Sequence, residues 1–156
     1  MLAIMGTISD DVREIATAQA ATRGAVLAVG RDYFEDPDLI ERIVAIAPAS
    51  ASTLFDVRIV VTECVANIVM HGSCAALIVS ADVNQRGLEL QFTHIPPLPA
   101  VVHEVIERSR TEALPDLNDP FYFGTGLGYP LMTRLCKNIR LSSDNACLEF
   151  SFATAS

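Results

Sequence analysis

Three polar side chains set into an apolar stretch are the first candidates for chemistry. Between Leu54 and Met70 the chain is dominated by Val, Ile and Leu, yet Glu63, Asn67 and His71 recur at intervals of four. Residues four apart share a helix face, so on a helix the three form one stripe with a turn between neighbours. A buried, unpaired carboxylate costs several kcal/mol, so Glu63 must be paired, protonated or facing a ligand. An amide oxygen one turn from a carboxylate suits Mg²⁺, which prefers hard oxygen ligands and keeps waters while bridging phosphates. There Glu63 would polarise a water or hydroxyl as a general base. The same spacing also fits an exposed polar stripe or a Glu–Asn–His hydrogen-bond ladder. His71 by itself fits a helix-terminal histidine bonded to a late carbonyl.

The second candidate is Gly124-Thr125-Gly126-Leu127-Gly128, directly before a short predicted helix. Glycines let the backbone approach an anion, and a helix start offers unpaired N–H groups and a positive dipole end. A phosphate chain could lie there, with Arg134 or Lys137 as additional cations. The string is no P-loop, because no Gly-Lys-Ser/Thr follows, and it lacks the order of a dinucleotide fingerprint. A plain flexible turn explains it equally well. Asp116, Asn118 and Asp119 resemble an acidic solvated loop more than a metal site.

The elements that must position these residues follow from periodicity. Ser9-Asp10-Asp11 starts a helix predicted over Val12–Val29, weakened by Gly24 and Gly30, and a short helix over Leu39–Ala47 stops at Pro48. Leu54–Met70 is rich in β-branched residues, but apolar positions at helical spacing outweigh that, with Gly72 as a left-handed cap. Cys74–Val83 and Leu88–Ile95 predict an antiparallel hairpin, stopped by Pro96 and Pro97. Val101–Ala113 and Tyr129–Lys137 are helical, and Asn138–Leu141 with Cys147–Phe152 closes the chain as a hairpin. The fold class is α/β: a two-layer sandwich whose mixed, mostly antiparallel sheet has helices packed on one face. The 156 residues suit a single domain, with a helical N-terminal part over 1–53 and a core over 54–152.

Composition excludes several classes. With 11 Lys and Arg against 19 Asp and Glu, the net charge of −8 argues against nucleic-acid and anionic-membrane partners, which select basic faces. No apolar run reaches membrane-spanning length, and Met1–Ile8 lacks the basic start of a secretory signal. Cys64, Cys74, Cys136 and Cys147 lack C-x-x-C spacing and predict reduced, mostly buried thiols in a cytoplasmic protein.

Taken together, Val61-Thr62-Glu63-Cys64-Val65-Ala66-Asn67-Ile68-Val69-Met70-His71-Gly72 resembles the N box of the GHKL (Bergerat-fold) ATPase and kinase superfamily. Gly124–Met132 resembles its second glycine box. The His-Gly ending, the length and the lack of a phosphoacceptor-histidine helix are similar to the anti-sigma-factor serine/threonine kinases. The resemblance spans about Leu54 to Phe152 and implies ATP with Mg²⁺ as cofactor. Glu63 would be the catalytic base and Asn67 the metal ligand. Gly124, Thr125, Gly126, Leu127 and Gly128 would wrap the triphosphate beneath a lid near Pro99–Phe123, and His71 would lie at the nucleotide site. It further implies a sigma factor or an anti-sigma-factor antagonist as partner, the latter phosphorylated on serine.

One departure stands out. Where the family has an Asp-x-Gly element reading the adenine amino group, this chain has His94 and Pro96. Losing a charged hydrogen bond costs about 1.5–3 kcal/mol, or roughly 10–150-fold in affinity. A neutral His94 offers one ring nitrogen as a weaker acceptor, so ATP binding is weakened, altered or lost. Two other functions therefore stay open. One is a nucleotide-independent interaction module of the same fold. The other is a phosphotransfer protein with a degenerate kinase-like domain, dimerising through its apolar N-terminal helices.

Overall fold

The longest apolar stretch of the chain becomes the helix around which everything else is arranged. The computed structural model describes residues 1–111 and 128–153, apart from the Ala51 and Ser52 side chains. In chain order it forms β1 (Leu2–Met5), α1 (Asp10–Thr22), β2 (Ala25–Gly30), α2 (Leu39–Ala45), α3 (Ala51–His71), β3 (Ala76–Asn84) and β4 (Gly87–Ile95). There follow α4 (Val102–Ser109), α5 (Gly128–Leu135), β5 (Asn138–Leu141) and β6 (Cys147–Phe152). The six strands make one sheet in the order β1-β2-β3-β4-β6-β5, with β1 parallel to β2 and every other pair antiparallel. The predicted α/β sandwich with a mixed, mostly antiparallel sheet is present.

Strand alternation sets the layers. Leu77 and Val79 of β3, Leu88, Leu90 and Phe92 of β4, and Leu148, Phe150 and Phe152 of β6 point to one face. There they pack beneath Val57, Val60, Val61, Cys64 and Ile68 of α3, Leu39 and Ile43 of α2, and Met132 of α5. Phe92 and Phe150 meet edge-on, with centroids 5.7 Å apart at 90°. This is the main core, and its helices form the predicted layer. The expectation that the helices pack on one face is corrected for α1, which covers a smaller cluster on the reverse face, where Val12 and Ala16 meet Val26, Ala28, Ala76 and Ile78.

The expected helix over Val12–Val29 is corrected: it ends at Thr22, and residues 25–30 are a strand between β1 and β3. The 1–53 part is therefore not wholly helical, because it supplies two of the six strands. The physical reason is double burial. β2 has the main core on one side and α1 on the other, so Val26 to Gly30 are all buried and the period of two disappears. The start signal was real, since the Ser9 hydroxyl accepts from the Val12 N–H at 3.2 Å.

Elsewhere the predicted elements hold with shifted ends. α2 stops at Ala45, and Ile46 and Ala47 continue as turns bonded back three residues before Pro48. Gly72 ends α3 at φ 65°, the left-handed cap expected of it. Cys74 lies before β3 rather than in it, and α4 ends at Ser109.

Candidate functional site

α3 carries the site because its three sides do three jobs. One side, Val57, Val60, Val61, Cys64 and Ile68, is buried on the sheet. A flank faces α2, where Arg58 grips the Glu41 carboxylate at 2.9 and 3.0 Å. The other flank carries Glu63 and Asn67 toward the first residue of α5. A Cβ placed on Gly128 would stand 3.3 Å from Asn67 Nδ2, 3.5 Å from Asn67 Oδ1 and 3.4 Å from Glu63 Oε2. The α5 start thus rests almost in van der Waals contact with both polar groups, an approach that glycine permits.

Glu63 and Asn67 are half-buried. Neither makes a hydrogen bond or ion pair within the described residues, so the ladder that the spacing allowed does not form. His71 is exposed at the helix C-terminus, one turn beyond Asn67. Gly124, Thr125, Gly126 and Leu127 lie outside the described residues, as do the Asp116, Asn118 and Asp119 loop and the lid beyond Thr111.

His94 lies at the same end of the fold. It shares the face of Phe92, and its strand ends against the start of β3, which directly follows α3. Only 5% of its surface is exposed. Nδ1 lies 3.2 Å from the Phe92 carbonyl oxygen, which assigns the proton to Nδ1 and leaves Nε2 as an acceptor. Burial pushes its pKa below the ordinary histidine value of 6.5, opposed in part by the backbone hydrogen bonds to Phe92 and Ala146. The neutral ring is the form the fold accepts. Pro96 follows a cis peptide bond from Ile95.

A pH prediction follows from the sign of that shift. The unfolded chain binds a proton at His94 as pH falls below about 6.5, while the folded chain resists until lower pH. Stability from this group is complete above pH 6.5 and is lost as pH falls through the folded value. Unfolding midpoints measured from pH 7.5 to 5 should fall less steeply in His94→Gln than in the parent chain; equal slopes would refute the assignment.

One of the two cations expected to assist a phosphate chain is corrected. α5 runs antiparallel to α3, and Lys137 lies past its C-terminal end with Nζ donating to the Arg86 carbonyl at 3.4 Å, whereas Arg134 reaches back along α5 and its Nη1 donates to the Pro130 carbonyl at 2.9 Å. They line a cavity of about 260 Å³ with Thr53, Asp56 and Phe152, near the N-terminus of α3. A second cavity, about 130 Å³, opens on the α2 flank of α3 between Arg31, Phe34, Ile68 and Cys74. Arg31 was not singled out in the sequence; its Nη2 donates to the Gly72 carbonyl at 2.9 Å and covers the α3 C-terminus. No sequence signal links residues 41 apart.

The thiols around the site are poor nucleophiles. All four cysteines are free. Cys64, behind Glu63, is held far above the ordinary thiol range by burial and then by Cys136 and Glu63. Burial raises Cys136 to about 12. Among the described residues no group of three or more His, Cys, Asp or Glu side chains could hold a metal, and no helix is long and apolar enough to cross a membrane. The donor set that fits a hard cation is thus the Glu63 carboxylate with the Asn67 amide oxygen, both lacking described protein partners.

No protein-family model matches the chain, and no curated protein matches it.

Proposed function

We propose that this chain is a GHKL-type regulatory domain that binds ATP with Mg²⁺ beside α3 and works through partner proteins, as an anti-sigma-factor-like serine/threonine kinase. The observation that carries the reading is the pairing of two oxygen donors, Glu63 and Asn67, that have no partner among the described residues, against the Gly128 backbone at the start of a helix. Asn67 would hold the magnesium through its amide oxygen, and bound magnesium would supply charge neutralisation for a phosphate chain. The Glu63 carboxylate would accept the proton of a serine hydroxyl presented by an antagonist protein, a base in hydrogen-bond reach of its substrate. The Gly128 N–H belongs to the first turn of α5, where backbone donors favour an anion. His94, neutral, would offer Nε2 to an amino group of the base.

A second reading keeps the fold and discards the nucleotide. It is favoured by the position of Lys137, which stands past the far end of α5 from Gly128. The two readings separate in one experiment, calorimetric titration with ATP and Mg²⁺ of the parent chain and of Asn67→Ala. Binding in the micromolar to low millimolar range that Asn67→Ala removes is the expected result. A folded protein that releases no heat at millimolar nucleotide would leave the interaction module standing. A sigma factor or anti-sigma-factor antagonist remains the proposed partner in either case.

A further inference from the structure

The remaining side of α3, away from the sheet, is apolar and largely exposed. Phe55, Ile59, Thr62, Ala66 and Val69 succeed one another at spacings of four, three, four and three, with Met70 beside the last. That spacing keeps one seam on a helix over about 21 Å and is the pattern by which helices pack lengthwise. Phe55 and Met70 are each 64% exposed and Val69 is 39% exposed. Thr62 belongs to the seam because its hydroxyl donates to the Arg58 carbonyl at 2.7 Å, in its own helix, and so leaves its methyl group outward. No charge interrupts the row; Arg58 and Glu63 stand on its two flanks.

We infer that this ridge is a self-association surface on which the α3 of a second copy packs antiparallel about a two-fold axis at Thr62. The order of side-chain sizes singles out that partner. Reversal about Thr62 sets Phe55 against the partner's Val69 and Ile59 against the partner's Ala66, large against small on both sides. Such self-complementarity is what a two-fold interface requires. A parallel pairing would instead stack Phe55 on Phe55 and leave Ala66 facing Ala66. The area sets the strength. Phe55, Val69 and Met70 together expose on the order of 300 Å² per copy, about 600 Å² for the pair, below the ~1,200 Å² of a standard stable interface. The dimer is therefore weak and concentration-dependent. Added salt strengthens it, because each copy carries a charge of −8. Glu63 and Asn67 lie on the neighbouring flank, so the inference does not depend on nucleotide binding.

Sedimentation velocity of the full chain from about 10 to 500 µM, at low and moderate salt, tests it. The expected result is a monomer–dimer equilibrium that moves toward dimer with salt and is weakened roughly tenfold or more in Phe55→Glu and in Val69→Glu. Orientation is tested by mixing Ile59→Cys with Ala66→Cys under mild oxidation and mapping the products by mass spectrometry. A disulfide joining position 59 of one copy to 66 of the other is expected. A monomer throughout, a dimer untouched by both glutamates, or cross-linking only between like positions would each overturn the inference.

Discussion

Phe92→Ala is expected to lower the unfolding free energy by about 3–5 kcal/mol, the range for deleting a fully buried aromatic ring. Phe92 has no exposed surface and sits in β4, between β3 and β6, with its ring edge-on to Phe150. Its removal takes away transfer energy, the aromatic pair and the packing beneath α3 together, and a rigid sheet cannot collapse to fill the space. Domains of this size are stable by about 5–15 kcal/mol in all, so the variant should lose about a fifth of its stability or more. Phe92→Leu keeps most of the volume and should cost about 1–2 kcal/mol. Urea unfolding of the three proteins measures this. A loss under about 1 kcal/mol for Phe92→Ala would show that the two halves of the sheet are not joined through this ring.

The alternation that buries Phe92 is legible from sequence, and so are β4 to β6, because each keeps its period of two; β3 is buried on both faces from Ala76 to Ala81 and is legible only through the turn that pairs it with β4. α3 was legible despite its β-branched content, since polar interruptions at Asp56, Glu63 and Asn67 fit only a helical period. β2 was not, for the opposite reason: burial on both faces erases the alternation, and its alanines continue the composition of α1. β1 is four residues long, and its identity as a strand depends on pairing with β2, which no local pattern announces.

The site divides in the same way. The stripe of Glu63 and Asn67 needs only the helical repeat, and the approach of Gly128 agrees with a glycine held for its missing side chain. Lys137 is misplaced from sequence because distance along the chain from Gly128 carries no direction. The 8 residues of α5 advance about 12 Å, and the antiparallel packing of α5 on α3 spends that length moving away from Glu63. His94 could have been placed more firmly, since its even spacing from Leu88, Leu90 and Phe92 already turns it toward the core. The hydrogen bond of Nδ1 to Phe92, which decides the tautomer, required coordinates.

His94→Asp is expected to have opposite effects on the free and nucleotide-bound protein. Without nucleotide, an ionised carboxylate at a position only 5% exposed loses water and gains no donor, and the Phe92 carbonyl that accepted from Nδ1 loses its partner. Stability should fall by about 3 kcal/mol, or the carboxyl should titrate well above the usual range. With ATP present, the adenine amino group would supply the missing donor, and a charged acceptor is worth about 1.5–3 kcal/mol more than none. On the proposed function, ATP affinity should therefore rise by up to roughly 10–150-fold over the parent chain. The unfolding midpoint of the variant should also climb more steeply with ATP concentration, since ligand that binds only the folded state stabilises by mass action. GTP carries a carbonyl where adenine has its amino group and should produce neither gain. Calorimetry and thermal unfolding with both nucleotides decide the matter: if the variant gains nothing with ATP, or gains equally with GTP, the base is not read at residue 94.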